Sequence, residues 1–168
     1  AGIALFSESF AWTGQAVYPL TVLMLLIICG GLCFTVLRNL GRRFVLGQRE
    51  RLTVQTRVVL ISTITLLAAG ATGFYLFERG NQLAGLNPLQ VFMASVFQSV
   101  TPRTAGFNTV DIAALRPVTL FMLSLLMFIG ASPGSTGGGI KTTTFFILVM
   151  SIATLLREQR FNTIFKRR

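Results

Sequence analysis

A chain of 168 residues in which 52% are hydrophobic and 12% charged, with a mean hydropathy of +0.70, does not have the composition of a soluble domain. Its 15 Lys and Arg against 5 Asp and Glu leave a net charge of +10, but that charge lies between and after apolar runs. Cytoplasmic flanks of membrane helices are charged in this way, which argues against nucleic acid as a partner. With no His and 2 Cys, the chain is also poor in metal ligands and catalytic bases, so most enzyme chemistry is disfavoured.

The chain opens on Ala1, and residues 1–11 carry neither the basic n-region nor the cleavage site of a signal peptide. It is expected to be a fragment of a longer polypeptide. Residues 16–37 carry no charge, and at 1.5 Å per residue they reach about 33 Å, enough to cross a hydrocarbon core of about 30 Å. One transmembrane helix is expected there, with Pro19 in its first turn and Gly30 and Gly31 as a flat face for a neighbour. Cys29 and Cys33 would share a face of that helix and are read as small buried hydrophobes rather than a metal or redox pair.

Arg38, Arg42, Arg43, Arg49, Arg51 and Arg57 follow, opposed only by Glu50. The positive-inside rule places this loop in the cytoplasm. The uncharged residues 58–77 return to the outside, and Glu78 and Arg79 mark the exit. A turn-rich external loop at Gly80, Asn81 and Gly85 comes next. Residues 89–100 are apolar but too short to span, and open with Asn87 as N-cap and Pro88 at the first helical position. They read either as a helix on the membrane surface or, since polar glycine-containing backbone follows, as a re-entrant pore helix.

That backbone, TPRTAGFNTVD over residues 101–111, combines small side chains with Gly106, which can adopt a φ that other residues resist. Main-chain carbonyls there suit a partly dehydrated cation. Taken alone, the same residues also make an ordinary external turn.

Residues 118–130 and 145–156 are each half a span, separated by GASPGSTGGGIKTTT. One continuous helix over residues 118–156 would measure about 58 Å, nearly twice what a membrane needs. A hairpin would leave the tail with Arg157, Arg160, Lys166, Arg167 and Arg168 outside, against the positive-inside rule. Two half-helices joined by an irregular loop and crossing once put that tail inside. Such a loop at membrane depth is tolerated only where protein or a water-filled path surrounds it.

The insert nearly reads G-x-x-x-x-G-K-[ST], but Ile140 separates Gly139 from Lys141, and the flanks are membrane half-helices, so a phosphate loop is disfavoured. Pro133, Gly134 and Gly137 to Gly139 cannot form a stable helix interior. Lys141 is either a functional charge in an ion path or a side chain that snorkels to the cytoplasmic face.

AGIALF over residues 1–6 echoes AGFNTV over residues 105–110, suggesting a repeat of helix, pore helix, filter-like loop and helix. Together, TPRTAGFNTVD and GASPGSTGGGIKTTTF resemble the Ktr-type potassium-uptake membrane subunits of the Trk/Ktr/HKT superfamily. The resemblance implies an all-α integral membrane fold of four such repeats around one pore. It also implies that residues 1–57 close one repeat and residues 58–168 form the next.

By the same resemblance Thr104, Ala105, Gly106, Phe107 and Asn108 form the selectivity filter. Potassium would meet the backbone oxygens of Thr104, Ala105 and Gly106, and Ala1, Gly2 and Ile3 are a remnant of the preceding filter. Gly134, Ser135, Thr136, Gly137, Gly138, Gly139 and Lys141 form a gating loop. The implied ligands are potassium and, as an activator, sodium, with no organic cofactor. The implied partners are the lipid bilayer, the remainder of the polypeptide, a second copy in a homodimer, and a cytoplasmic nucleotide-binding regulatory ring. The implied location is the bacterial inner membrane, with the basic loop and tail in the cytoplasm. Open alternatives are a sodium-selective or non-selective relative of the same architecture, a non-transporting membrane scaffold and a phosphate-loop enzyme.

Overall fold

The computed structural model describes residues 17–44, 53–103, 105–135 and 137–156. Among them the chain forms six helices: α1 (Val17–Gly31), α2 (Phe34–Phe44), α3 (Val54–Glu78), α4 (Pro88–Val100), α5 (Pro117–Phe128) and α6 (Thr142–Leu156). Of these, α3 is the one long and apolar enough to cross a membrane by itself, at about 38 Å. Large apolar side chains such as Phe121, Phe128, Ile147 and Leu155 stand exposed along α5 and α6. That surface suits hydrocarbon rather than water.

The single helix expected over residues 16–37 does not form. It ends at Gly31, and α2 leaves at 110° to α1. Gly30 and Gly31 are weak helix formers, and the Leu32 N–H closes the last turn on both Ile28 (3.0 Å) and Cys29 (3.2 Å). The Cys33 carbonyl then starts α2 by accepting from Val36 and Leu37.

Tertiary contacts hold the bend. Val36 is fully buried in a cluster with Leu32, Cys33 and Val59 of α3, against which Leu40 packs. One turn from Val36, the Asn39 Nδ2 donates to Thr56 Oγ1 at 2.9 Å on α3. The bend also separates the two cysteines: Cys29 is exposed and Cys33 buried, and both are free thiols.

The short helix α4 has the start that Asn87 and Pro88 predict, and the Asn87 N–H is satisfied by Gln90 Oε1 at 3.1 Å. It lies against α3 and α1. Phe97 and Val100 are fully buried with Leu20 and Met24 of α1. On its other flank, Ala94 joins Phe74 of α3 and Leu123 and Leu126 of α5 in a second cluster. The helix that carries the filter-like turn is thus gripped from both sides.

Glu78 is a buried anchor rather than a mere exit marker. Its carboxylate is fully buried and accepts from the Arg116 N–H at 2.9 Å, the Thr119 hydroxyl and Asn81 Nδ2. Arg116 and Thr119 belong to the first turn of α5, where unpaired N–H groups and the helix dipole both favour a negative charge. The end of α3 is therefore fastened to the first turn of α5.

Candidate functional site

The turn after α4 takes its shape from one residue. The Thr101 carbonyl accepts the N–H groups of both Ala105 (3.1 Å) and Gly106 (3.2 Å), and Gly106 has φ +78°. In a trans peptide the C=O and the following N–H point in opposite directions. Because the Gly106 N–H is aimed at the end of α4, the Ala105 carbonyl is aimed away from it.

Phe107 is set the other way. Its carbonyl accepts the Thr101 hydroxyl, and its side chain packs against the α1–α4 cluster. Ala105, Phe107 and Asn108 are half-buried and Gly106 is exposed. Thr104 and the early remnant Ala1, Gly2 and Ile3 lie outside the described residues.

The glycine-rich insert leaves the helix axis and returns to it. Ile129 and Ile140 form a parallel bridge: the Gly130 N–H donates to Ile140 at 2.9 Å and the Ile140 N–H to Phe128 at 3.0 Å. The parallel sense means that the chain enters and leaves the loop heading the same way. At this closure α5 and α6 are joined by an excursion, not by an antiparallel hairpin.

The closure needs glycine. A Cβ on Gly130 would lie 1.7 Å from the Gly138 carbonyl oxygen, and one on Gly139, at φ +76°, would lie 2.9 Å from Gly130 backbone. Backbone occupies the space a side chain would need.

The loop is seated on the end of α1. The Gly31 carbonyl, an orphan acceptor at the helix terminus, receives both the Ser132 N–H (3.2 Å) and the Ser132 hydroxyl (2.7 Å). Gly134 has φ +73°, and a Cβ added there would stand 3.4 Å from the Cys33 sulfur. Half-buried Lys141 turns back into the loop, its Nζ donating to the Gly137 carbonyl at 2.6 Å. Thr136 lies outside the described residues. Ser135, Gly137, Gly138, Gly139 and Lys141 are brought into one excursion with Gly134, next to the end of α1.

Three residues at these sites carry no mark in the sequence: Ser132 beneath the loop, and Ser99 and Arg103 behind the turn after α4. Each donates to a helix carbonyl, and a carbonyl acceptor leaves no mark in a sequence.

The whole chain, residues 1–168, matches the family described as TrkH, cation transport protein. The chain belongs to the TrkH family. Within it, the chain is 39% identical to a Ktr system potassium uptake protein B of Vibrio alginolyticus over 99% of its own length and 37% of that relative. It is 34% identical to a potassium/sodium uptake protein, NtpJ, of Enterococcus hirae, over 94% of this chain and 34% of that one. The chain thus spans little more than a third of the length of these TrkH-family relatives.

The fold agrees. The crystal structure of the potassium transporter TrkH from Vibrio parahaemolyticus superposes with a TM-score of 0.71 at 20% identity, covering 97% of this chain and 35% of that one. The all-helical membrane fold is therefore that of the TrkH family, a family of transporters rather than enzymes.

Proposed function

We propose that this chain is part of a potassium-translocating membrane protein, in which residues 104–108 form one quarter of a selectivity filter and residues 134–141 the core of a gate beneath it. The observation that carries the reading is the turn after α4. Two successive N–H groups are held by Thr101, Gly106 is left-handed, and the Ala105 carbonyl is directed away from the pore helix. A carbonyl fixed in that sense is what a dehydrated monovalent cation requires. The names of the relatives, potassium uptake and potassium/sodium uptake proteins, support the same substrate class.

Residues 1–57 then close one repeat and residues 58–168 make the next. The remaining repeats come from the rest of the polypeptide, since one repeat cannot surround an ion. Residence in the bacterial inner membrane, cytoplasmic placement of the arginine loop and tail, a homodimer and a regulatory ring belong to the same reading. Potassium is the cargo, with sodium as an activator.

The test is uptake by the full-length protein in cells lacking other potassium transport. Wild type should restore growth at low potassium. Gly106→Ser should lower the potassium-to-sodium ratio by about tenfold, because a Cβ at φ +78° disfavours the turn that aims the carbonyls. Unchanged ratios in that variant would sink the filter assignment. A second reading, a protein that takes potassium and sodium alike, is favoured by the potassium/sodium uptake relative. Equal uptake of the two ions by wild type would select it.

A further inference from the structure

Arg103 lies just past the last turn of α4, in the strand of chain that leads into residues 104–108. Its Nη2 donates to the Thr63 carbonyl of α3 at 3.2 Å. Four residues earlier, the Ser99 hydroxyl donates to the Leu67 carbonyl at 2.8 Å. Thr63 and Leu67 lie four apart on one face of α3, so Ser99 over Leu67 and Arg103, beyond the end of α4, over Thr63 are two rungs of one antiparallel seam. Each carbonyl already serves its own helix and takes the side chain on its second lone pair.

The seam needs close approach. A Cβ on Gly70 would lie 2.4 Å from Ser99 Oγ and 2.9 Å from Leu126 Cδ1, so the glycine lets α4 come near enough for the upper rung.

The lower rung stands at a junction. Arg103 and Thr63 share the wall of a cavity of about 10 Å³ with Ile28, Gly31 and Leu32 at the end of α1 and with Ala131 at the root of the glycine loop. That volume holds at most about one water. Gly31 is also the residue whose carbonyl seats Ser132. One guanidinium therefore touches α3 while bordering both the filter turn's own helix and the seat of the loop below it.

We propose that Arg103 is a positioning residue for ion discrimination. It fixes the height and tilt of the filter turn against α3, and acts through the backbone that follows it rather than by touching the ion. A guanidinium suits this task because it stays charged when buried and presents several donors in a fixed plane. Ser99 is its weaker companion one rung above. The inference rests on the reading of residues 104–108 as a filter.

The experiment uses the full-length protein, with potassium and sodium uptake measured for wild type, Arg103→Gln, Arg103→Lys, Ser99→Ala and Gly106→Ser. Arg103→Gln should raise KM for potassium about tenfold, the scale set by one charged hydrogen bond, and lower discrimination against sodium by a similar factor. Vmax per molecule in the membrane should change less. Arg103→Lys should recover most of the discrimination, and Ser99→Ala should lose about threefold.

If Arg103→Gln lowers only abundance or thermal stability while KM and discrimination stay at wild-type values, Arg103 is a mere tether and the proposal is overturned. If Arg103→Gln fails to reach the membrane, Ser99→Ala decides, and wild-type discrimination in that variant overturns the proposal. Altered discrimination in Gly106→Ser beside unaltered discrimination in Arg103→Gln defeats this inference and leaves the filter standing. Unaltered discrimination in Gly106→Ser defeats the filter reading itself.

Discussion

The chain interrupts its helices twice, and the two interruptions differ in kind. Between α1 and α2 two residues suffice, and the axis swings through 110°. Between α5 and α6 a long glycine-rich segment intervenes, yet the chain resumes its heading through the parallel pairing of Ile129 with Ile140. The first break redirects the chain and is held by side chains, with Val36 and Leu40 on Val59 and Asn39 on Thr56. The second leaves direction alone and is held by backbone, with no room for a Cβ at Gly130. A redirecting break is a matter of packing, whereas an excursion at membrane depth must satisfy its own amides.

The two breaks also touch. Gly31, the last residue of α1, accepts from Ser132, so the end of the first interruption is the platform of the second.

The difference is open to attack. Deleting residues 134–139 from the full-length protein should have the largest effect, raising potassium flux severalfold as most of the excursion between Ile129 and Ile140 is lost. Unaltered flux, or none at all from a normally folded protein, would refute a gating loop. Gly130→Ala should destabilise by about 3 kcal/mol, because its Cβ would collide with the Gly138 carbonyl rather than with a movable side chain. Thermal unfolding of the purified protein measures it, and a wild-type midpoint would mean that the bridge is not the closure described.

Ser132→Ala should cost about 1 kcal/mol, the loss of its hydroxyl bond to Gly31, and raise resting flux modestly. No change in either measure would separate the two breaks after all. Gly30→Ala should be tolerated or stabilise by about 0.5 kcal/mol, since nothing lies within 4 Å of the added Cβ. Strong destabilisation there would make the first break as backbone-bound as the second.

Whether a break was legible in the sequence follows from what holds it. The second could be foreseen because Pro133 and the glycines are poor helix formers and residues 118–156 are too long for one span. The start of α4 was legible because Asn87 and Pro88 act locally. The first break was not, because Phe34 to Leu37 continue the apolar run and the partners that turn the chain, Val59 and Thr56, lie on another helix. Gly30 and Gly31 end α1, and Gly31 also meets a neighbouring segment at Ala131 and Ser132.

Gly106 announced itself through its residue type, and its φ of +78° agrees. Arg103, Ser99 and Ser132 act on carbonyls of Thr63, Leu67 and Gly31, which any residue would supply, so nothing distinguished them before the helices were placed. Glu78 looked like the edge of a span and is fully buried at the start of α5, because its three donors come from residues up to 41 positions away.

The pairing of Ile129 with Ile140 makes the segment between them something like a cassette. Its two ends are fixed to each other, so its contents can lengthen, shorten or refold without shifting the register of α6 against α3. Engineered insertions between Pro133 and Gly137, away from the packed glycines at 130, 138 and 139, should therefore leave the start of α6 in place.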